Sequence, residues 1–235
     1  IIMIYAMSDI HGDYANFRRI LKKVRFCDAD TMYILGDVFD KGDENLRLYY
    51  WICGHSNAFW IKGNHEYLCE RYLNGTIDAQ LWDACGGINT RMEVDRLDKE
   101  EKEKLLGCLK ALPVYLTVKV NESEYFLTHS GYDADCCVMS PEKTSVDIAA
   151  SVEKAVAMNQ EKYLFSNDIH YIPANLFFDK EIIVGHYPTL LLPEYQKAEI
   201  YKGRKYINID TGNDCRSRGG RLACVRLDDG EAFYV

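Results

Sequence analysis

The stretch Ile1-Ile2-Met3-Ile4-Tyr5-Ala6-Met7-Ser8-Asp9-Ile10-His11-Gly12-Asp13 sets the pattern of the chain. Its near-continuous apolar run is what a strand covered on both faces requires. The run ends abruptly in a polar tip that contains Asp9 and His11. Asp13 is placed to cap a helix in which Phe17, Ile20, Leu21 and Val24 follow the i, i+3, i+4, i+7 rule. Strand, polar tip and helix in succession form the unit of layered α/β folds.

The unit recurs. The apolar run 31–35 leads into Gly36-Asp37-Val38-Phe39-Asp40-Lys41-Gly42, and 58–61 leads into Lys62-Gly63-Asn64-His65-Glu66. Run 125–128 leads into His129-Ser130-Gly131, and 182–184 into Gly185-His186. Further strand-like runs lie at 114–120, 206–209, 222–227 and 232–235, with hairpin turns at Asn121-Glu122-Ser123 and Asp228-Asp229-Gly230. Asp98 and Glu101 form a capping box before Leu105, Leu106 and Leu109, and Pro113 closes that segment. Another helix is expected after Ser145, carrying Val146, Ala149, Val152 and Val156. There is no internal repeat, low-complexity tract or linker. The pattern predicts an α/β fold of mixed sheets flanked by helices, in a single domain over residues 1–235.

Composition removes several classes of function. With 235 residues, 48% hydrophobic and 27% charged, the chain can bury a sizeable core. Lys and Arg number 28 against 36 Asp and Glu, a formal charge of −8, which argues against binding a nucleic-acid backbone. No run approaches the roughly 18 apolar residues of a membrane-spanning helix. The first residues lack a basic flank and a small-residue cleavage site, so no signal peptide is expected. The nine cysteines include no CxxC pair. They predict free thiols in a reducing cytoplasm, where the Asn74 and Asn121 sequons are chance matches.

The chemistry lies in the polar tips. In open α/β folds, residues just beyond the carboxyl ends of strands converge on one crevice. Here that would gather Asp9, His11, Asp37, Asn64, His129 and His186: two carboxylates, three imidazoles and an amide. Such donors suit divalent manganese, iron or zinc. Six are too many for one ion that keeps a position open for water, but they suffice for two ions sharing a bridging carboxylate. No cysteine lies at these tips, which disfavours a thiolate zinc site. Gly12, Gly36, Gly63, Gly131 and Gly185 sit beside the donors, where the chain must turn sharply. Each piece alone has an ordinary reading: Gly-Asp-x-x-Asp is a common turn, and Asn64-His65-Glu66 can start a helix. The ordered recurrence after apolar runs is what points to a metal centre. His55 and His170 read as structural, and the 17 tyrosines as core and surface residues.

These motifs together resemble the calcineurin-like metallophosphoesterases, and within them a bacterial-type short form of the phosphoprotein phosphatases. Asn208-Ile209-Asp210-Thr211-Gly212 and Gly219-Gly220-Arg221-Leu222 are similar to that branch's closing strands, so the resemblance spans roughly residues 3–227. It implies a sandwich of two sheets flanked by helices. It implies one ion held by Asp9, His11 and Asp37, and a second held by Asp37, Asn64, His129 and His186, with Asp37 bridging. Manganese is the leading candidate, with iron or zinc as alternates. His65 would be the catalytic acid, paired with Asp40, and Lys41 would bind the substrate phosphate.

The chain departs from that pattern in three places. Asp40-Lys41-Gly42 replaces the usual Asp-Arg-Gly, which loses the two-pronged grip of a guanidinium. No arginine occurs from residue 97 to residue 203, so nothing inherits the second phosphate clamp; Asn167 lies in roughly that segment. The basic loop 213–218 offers Arg216 or Arg218 as compensation. The expected activity is hydrolysis of phosphoserine or phosphothreonine in proteins, or of small phosphoesters, by a hydroxide generated at the paired ions. The alternative is a dinucleoside-polyphosphate hydrolase, although such relatives more often carry Asn-His-Asp at the third tip. A non-catalytic binding module on the same scaffold would typically have lost a ligand or the catalytic histidine. No nucleic-acid or membrane partner is expected, and the sequence does not indicate an oligomeric state.

Overall fold

Strands that are apolar on both faces need cover on both sides, and the chain provides it with two sheets packed together and helices outside them. A computed structural model describes residues 2–235; Ile1, the first residue of the opening apolar run, lies outside the described residues. The chain order is β1 (Ile4–Met7), α1 (Tyr14–Val24), β2 (Thr31–Ile34), α2 (Asn45–Cys53), β3 (Ala58–Trp60), α3 (Asn64–Leu73), α4 (Ala79–Ala84), α5 (Ile88–Asp95) and α6 (Lys99–Ala111). It continues with β4 (Tyr115–Val120), β5 (Ser123–Thr128), α7 (Ile148–Leu164), β6 (Glu181–Val184), β7 (Tyr201–Lys202), β8 (Tyr206–Asn208), β9 (Ala223–Arg226) and β10 (Ala232–Tyr234).

One sheet has the order β10-β9-β1-β2-β3 and the other β4-β5-β6-β8-β7. Both are mixed. β1, β2 and β3 run parallel, with Met7 opposite Ile34 and Ile34 opposite Trp60. β5, β6 and β8 run parallel in the second sheet. The carboxyl ends within each parallel set therefore emerge side by side, which is what gathers the polar tips.

Period-two alternation sorts the strand side chains into layers. Ala6 of β1, Leu127 of β5, Ile183 of β6 and Val225 of β9 meet in the core between the sheets. Tyr5 and Met7 point the other way, into a core with Phe17 and Ile20 of α1, Ile52 of α2, Leu68 of α3 and Leu105 of α6. Phe126 and Ile182 face Val152 and Ala155 of α7.

Local chemistry sets the helix starts. The Asp13 carboxylate accepts from the Asn16 N–H at the start of α1. Asp98 and Glu101 close a reciprocal capping box on α6. The helix expected after Ser145 begins instead at Ile148, capped by Asp147. Val146 is withdrawn from it by bridges to Met139 and Phe178. Residues 121 and 122 form the β4–β5 turn, with Val120 opposite Ser123 and Asn121 in the left-handed region at φ 54°. No helix among the described residues is long and apolar enough to cross a membrane.

Candidate metal centre

The loop after β1 is laced to the loop after β2. The Asp9 N–H donates to the Gly36 carbonyl at 3.2 Å, His11 N–H to Asp37 O at 3.0 Å, and Gly12 N–H to Val38 O at 2.8 Å. Within the second sheet the Gly185 N–H donates to His129 O at 3.0 Å, which ties the tip after β6 to the tip after β5. The two sheets meet at this point, where the His186 N–H donates to Asp9 Oδ2 at 3.0 Å. Gly63 and Gly185 are required by close approach: a Cβ on Gly63 would overlap the Asp37 carboxylate, and one on Gly185 would overlap Ser8 Oγ and Asp9 Oδ2.

These contacts bring Asp9, His11, Asp37, Asn64, His65, His129 and His186 into one cluster. Asn64 Oδ1, His129 Nε2 and His186 Nδ1 lie 2.9–3.1 Å from one another. Asp37 Oδ1 is 3.3 Å from His129 Nε2, and Asp37 Oδ2 is 3.9 Å from His11 Nε2 and 3.8 Å from His65 Nε2. Asp9 Oδ1 stands 3.9 Å from His11 Nε2. Two sets of three side chains offer ligand atoms close enough for one ion: Asp37, His129 and His186, and His11, Asp37 and His65. Asp37 belongs to both. The second set contains His65 where the motif pattern has Asp9.

The donor chemistry fits a pair of cations. His11 Nδ1 is held at 3.0 Å by the Phe39 carbonyl and His129 Nδ1 at 2.7 Å by the Leu35 carbonyl. A carbonyl only accepts, so each Nδ1 carries the proton, and in the neutral ring Nε2 presents a bare lone pair to the cluster. Burial, reinforced by Lys41 and His65, pushes His11 down to about 3. Burial and the neighbouring His129 push His186 to about 3 as well. Asp9 Oδ1 is buried with no hydrogen-bond partner among the described residues. The neutral rings of His11 and His186 and an orphaned carboxylate oxygen call for positive charge. His129 shows the same demand. Burial disfavours its charged form, yet Asp37 outweighs this and lifts the imidazole to about 10. Asp37 is held well below the usual carboxylate range despite burial, by His129, His65 and His11.

His65, the second residue of α3, has a different environment. Its Nδ1 lies 2.7 Å from Asp40 Oδ2. Asp40 is fully buried and also accepts from Trp82 Nε1 at 2.8 Å and Thr90 Oγ1 at 2.5 Å. Three donors hold one carboxylate, which fixes the ring plane and puts Nε2 on the Asp37 side. Burial pulls His65 down, but Asp37 and Asp40 together raise it above the ordinary histidine value.

Glu66 was not apparent as a site residue from sequence. Its buried carboxylate accepts the N–H groups of Asp37 at 2.7 Å, Val38 at 2.9 Å, Phe39 at 3.2 Å and Gly63 at 2.9 Å. It therefore shapes the loops that carry Asp37 and Asn64. Burial and the Asp37 charge push it up to about 7 against the pull of those donors. Glu66→Gln keeps the volume but replaces one acceptor oxygen with a donor, which leaves buried N–H groups unpaired. The substitution is expected to cost about 2–4 kcal/mol in urea unfolding. An unchanged midpoint would mean that the loops are held by other contacts.

Backbone strain is concentrated here. Asp9, His11, Asp37, Asp40, Lys41 and His186 all adopt φ between 51° and 73°, a region that Asp tolerates and a side chain such as that of Lys41 rarely enters. Lys41 Nζ pairs with Asp214 Oδ2 at 2.7 Å. Arg216 Nε lies 3.3 Å from Asp13 Oδ2 and the guanidinium also meets Asn213 Oδ1, so this arginine is engaged at the α1 cap. His55 stacks on Trp51, with ring centroids 3.9 Å apart, outside the cluster. His170 binds the Tyr206 hydroxyl at 2.9 Å and lies one ring away from the cluster, against Tyr187.

A two-sheet sandwich with helical outer layers and an Asp/His/Asn cluster at the carboxyl ends of its strands defines a calcineurin-like phosphoesterase. The chain belongs to that family, whose model matches residues 2–216. It is 27% identical over 232 residues to serine/threonine-protein phosphatase 2 of Salmonella typhimurium, covering 95% of this chain and 92% of that protein. It is 29% identical over 130 residues to the symmetrical bis(5'-nucleosyl)-tetraphosphatase of Methylococcus capsulatus, covering 54% of this chain and 42% of that enzyme. Among solved structures, it resembles a provisionally assigned diadenosine tetraphosphatase with a TM-score of 0.60 at 14% identity, over 99% of this chain and 92% of that one. It also resembles a protein serine/threonine phosphatase from Saccharomyces cerevisiae with a TM-score of 0.57 at 14% identity, over 100% and 79%. The phosphoesterase class is thereby established, and the relatives divide between two substrates.

Proposed function

We propose that the chain is a metal-dependent phosphomonoesterase that hydrolyses phosphoserine and phosphothreonine in proteins. The observation that carries this reading is the His65–Asp40 pair seated beside the Asp37 cluster: a positioned acid next to donors suited to two cations. Asp9, His11 and Asp37 would hold one ion, and Asp37, Asn64, His129 and His186 the other. Bound there, divalent ions supply a hydroxide near neutral pH and offset charge on the phosphoryl oxygens.

The chain's own residues do the rest. A serine or threonine alkoxide is a poor leaving group and needs a proton as it departs. His65 Nε2 is the group placed to give one, while Asp40 holds Nδ1–H and, with Asp37, favours the protonated ring. Lys41 offers one ammonium to a phosphate oxygen, in exchange for its present bond to Asp214.

Two features favour a protein substrate over a dinucleoside polyphosphate. The likeness to the Salmonella phosphatase runs through 95% of this chain, whereas the likeness to the tetraphosphatases of Methylococcus capsulatus and Pasteurella multocida runs through 54% and 74%. A tetraphosphate also brings several negative charges, and at the strand-end tips of this chain of charge −8 Lys41 is already paired with Asp214 and Lys62 with Glu70. The tetraphosphatase reading remains the second one, favoured by the 29% identity over 130 residues.

The test is a manganese-loaded panel of phosphopeptides, diadenosine tetraphosphate and an aryl phosphate. Phosphopeptides are expected to give the highest kcat/KM. Lys41→Ala is expected to raise KM for phosphopeptide about tenfold, the loss of one charge-assisted contact at a half-exposed site. Faster turnover of the tetraphosphate would reverse the assignment.

A further inference from the structure

Beside the cluster lies a cavity of about 490 Å³ that the hydrolytic chemistry does not use. Its wall is a continuous run of rings. Tyr187, the neighbour of His186, has its ring centroid 5.2 Å from His170. His170 in turn lies 5.5 Å from Tyr206, Tyr206 lies 5.3 Å from Tyr201, and Tyr201 lies 5.3 Å from Tyr195. Tyr171 stands at the mouth, 73% exposed. Two polar atoms of the lining side chains, Asn167 Oδ1 and His170 Nε2, are buried without a hydrogen-bond partner among the described residues.

We propose that this pocket seats an aromatic side chain, tyrosine or tryptophan above all, a few residues from the phosphorylated serine or threonine of a protein substrate. The inference rests on the protein-phosphatase reading above and names the feature of the substrate that the chain selects.

The argument is one of shape and charge. Offset and edge-on ring contacts reward an aromatic guest beyond the area it buries. A phenol or indole also brings a hydrogen-bond donor, which phenylalanine lacks, and Asn167 Oδ1 is an unpartnered acceptor among the lining side chains. The charge of the lining decides between a peptide and a nucleotide. No lysine or arginine lines the pocket, Glu194 does, and Lys197 lies over the Tyr195 ring without forming part of the lining. Burial holds His170 down at about 4, so it is neutral at physiological pH. A nucleobase would drag an anionic polyphosphate tether past a carboxylate, whereas a peptide tether is neutral.

The test uses pairs of phosphopeptides with Tyr, Trp or Ala at each position within four residues of the phosphoserine. An aromatic residue at one position is expected to raise kcat/KM about tenfold over Ala. Tyr171→Ala and Tyr195→Ala are expected to bring that ratio close to one, while Tyr50→Ala, exposed on α2, leaves it unchanged. Equal kcat/KM for aromatic and Ala peptides overturns the pocket and leaves the phosphatase reading intact. Should turnover of every peptide be absent, the phosphatase reading fails, and equilibrium binding of the same labelled peptides to His65→Asn still decides the pocket. Tighter binding of the aromatic peptide supports it, and equal binding ends it. If adenosine nucleotides instead lose affinity in Tyr171→Ala while the peptides do not, the occupant is a nucleobase and the proposal is wrong.

Discussion

His65→Asn is expected to keep both metal ions and to slow hydrolysis of an alkyl phosphate by about 10²–10⁴-fold, the usual worth of a positioned general acid. Asn can still donate to Asp40, so the buried carboxylate with its Trp82 and Thr90 partners is not left with a gap in its hydrogen bonding. What disappears is the proton at the position of Nε2. An aryl phosphate leaves as a weak base and needs that proton less, so its loss should be markedly smaller. The comparison of the two substrates is the measurement, with metal stoichiometry on the same samples. Equal losses on both would remove the acid role. Loss of one ion would make His65 a ligand, the role that the His11, Asp37 and His65 grouping permits. The hydrogen bond to Asp40 and the shift of His65 above its ordinary value both favour the acid.

The positions that matter for this experiment were legible in the sequence because each follows an apolar run, and parallel strands must end together. Asp9, Asp37, Asn64, His129 and His186 needed only that rule. The residues that set their properties did not announce themselves. Trp82 and Thr90 reach Asp40 across 42 and 50 residues, from two short helices, α4 and α5, whose sequences carry little periodicity. Glu66 looked like the third residue of an ordinary helix start, and only the fold shows four N–H groups converging on it. β7 has two residues, too few for any pattern to reveal. Arg216, a candidate phosphate clamp by charge alone, is drawn instead to the Asp13 carboxylate at the start of α1. The tyrosines of the pocket are scattered over 36 positions, and only the packing of β7, β8 and the 3₁₀ turn at Asp168–Tyr171 makes a wall of them.

Asp37→Asn is expected to have the largest effect of any single substitution: turnover reduced by more than about 10⁴-fold, with at most one ion retained. Asp37 is the one carboxylate shared by both groupings, within 3.3–3.9 Å of imidazole nitrogens on either side. Removing its charge leaves each ion with fewer anionic donors and unlinks the two. The amide still accepts the His65 N–H that Asp37 Oδ1 now takes at 3.1 Å, so α3 keeps its start and the fold is spared. The effect should therefore appear in metal-dependent stability. Manganese should raise the thermal midpoint of the wild-type chain and barely move that of the variant. Metal affinity of the wild type should rise with pH, because His129, lifted to about 10 chiefly by Asp37 against the pull of burial, must give up its Nε2 proton to become a ligand. In Asp37→Asn the largest lift is gone, leaving Asp9 and the Leu35 carbonyl to oppose burial, so His129 gives up its proton more readily and the pH dependence of the remaining site should flatten. Two ions bound to the variant as tightly as to the wild type, with an unchanged pH slope, would show that Asp37 neither bridges them nor sets the charge of His129.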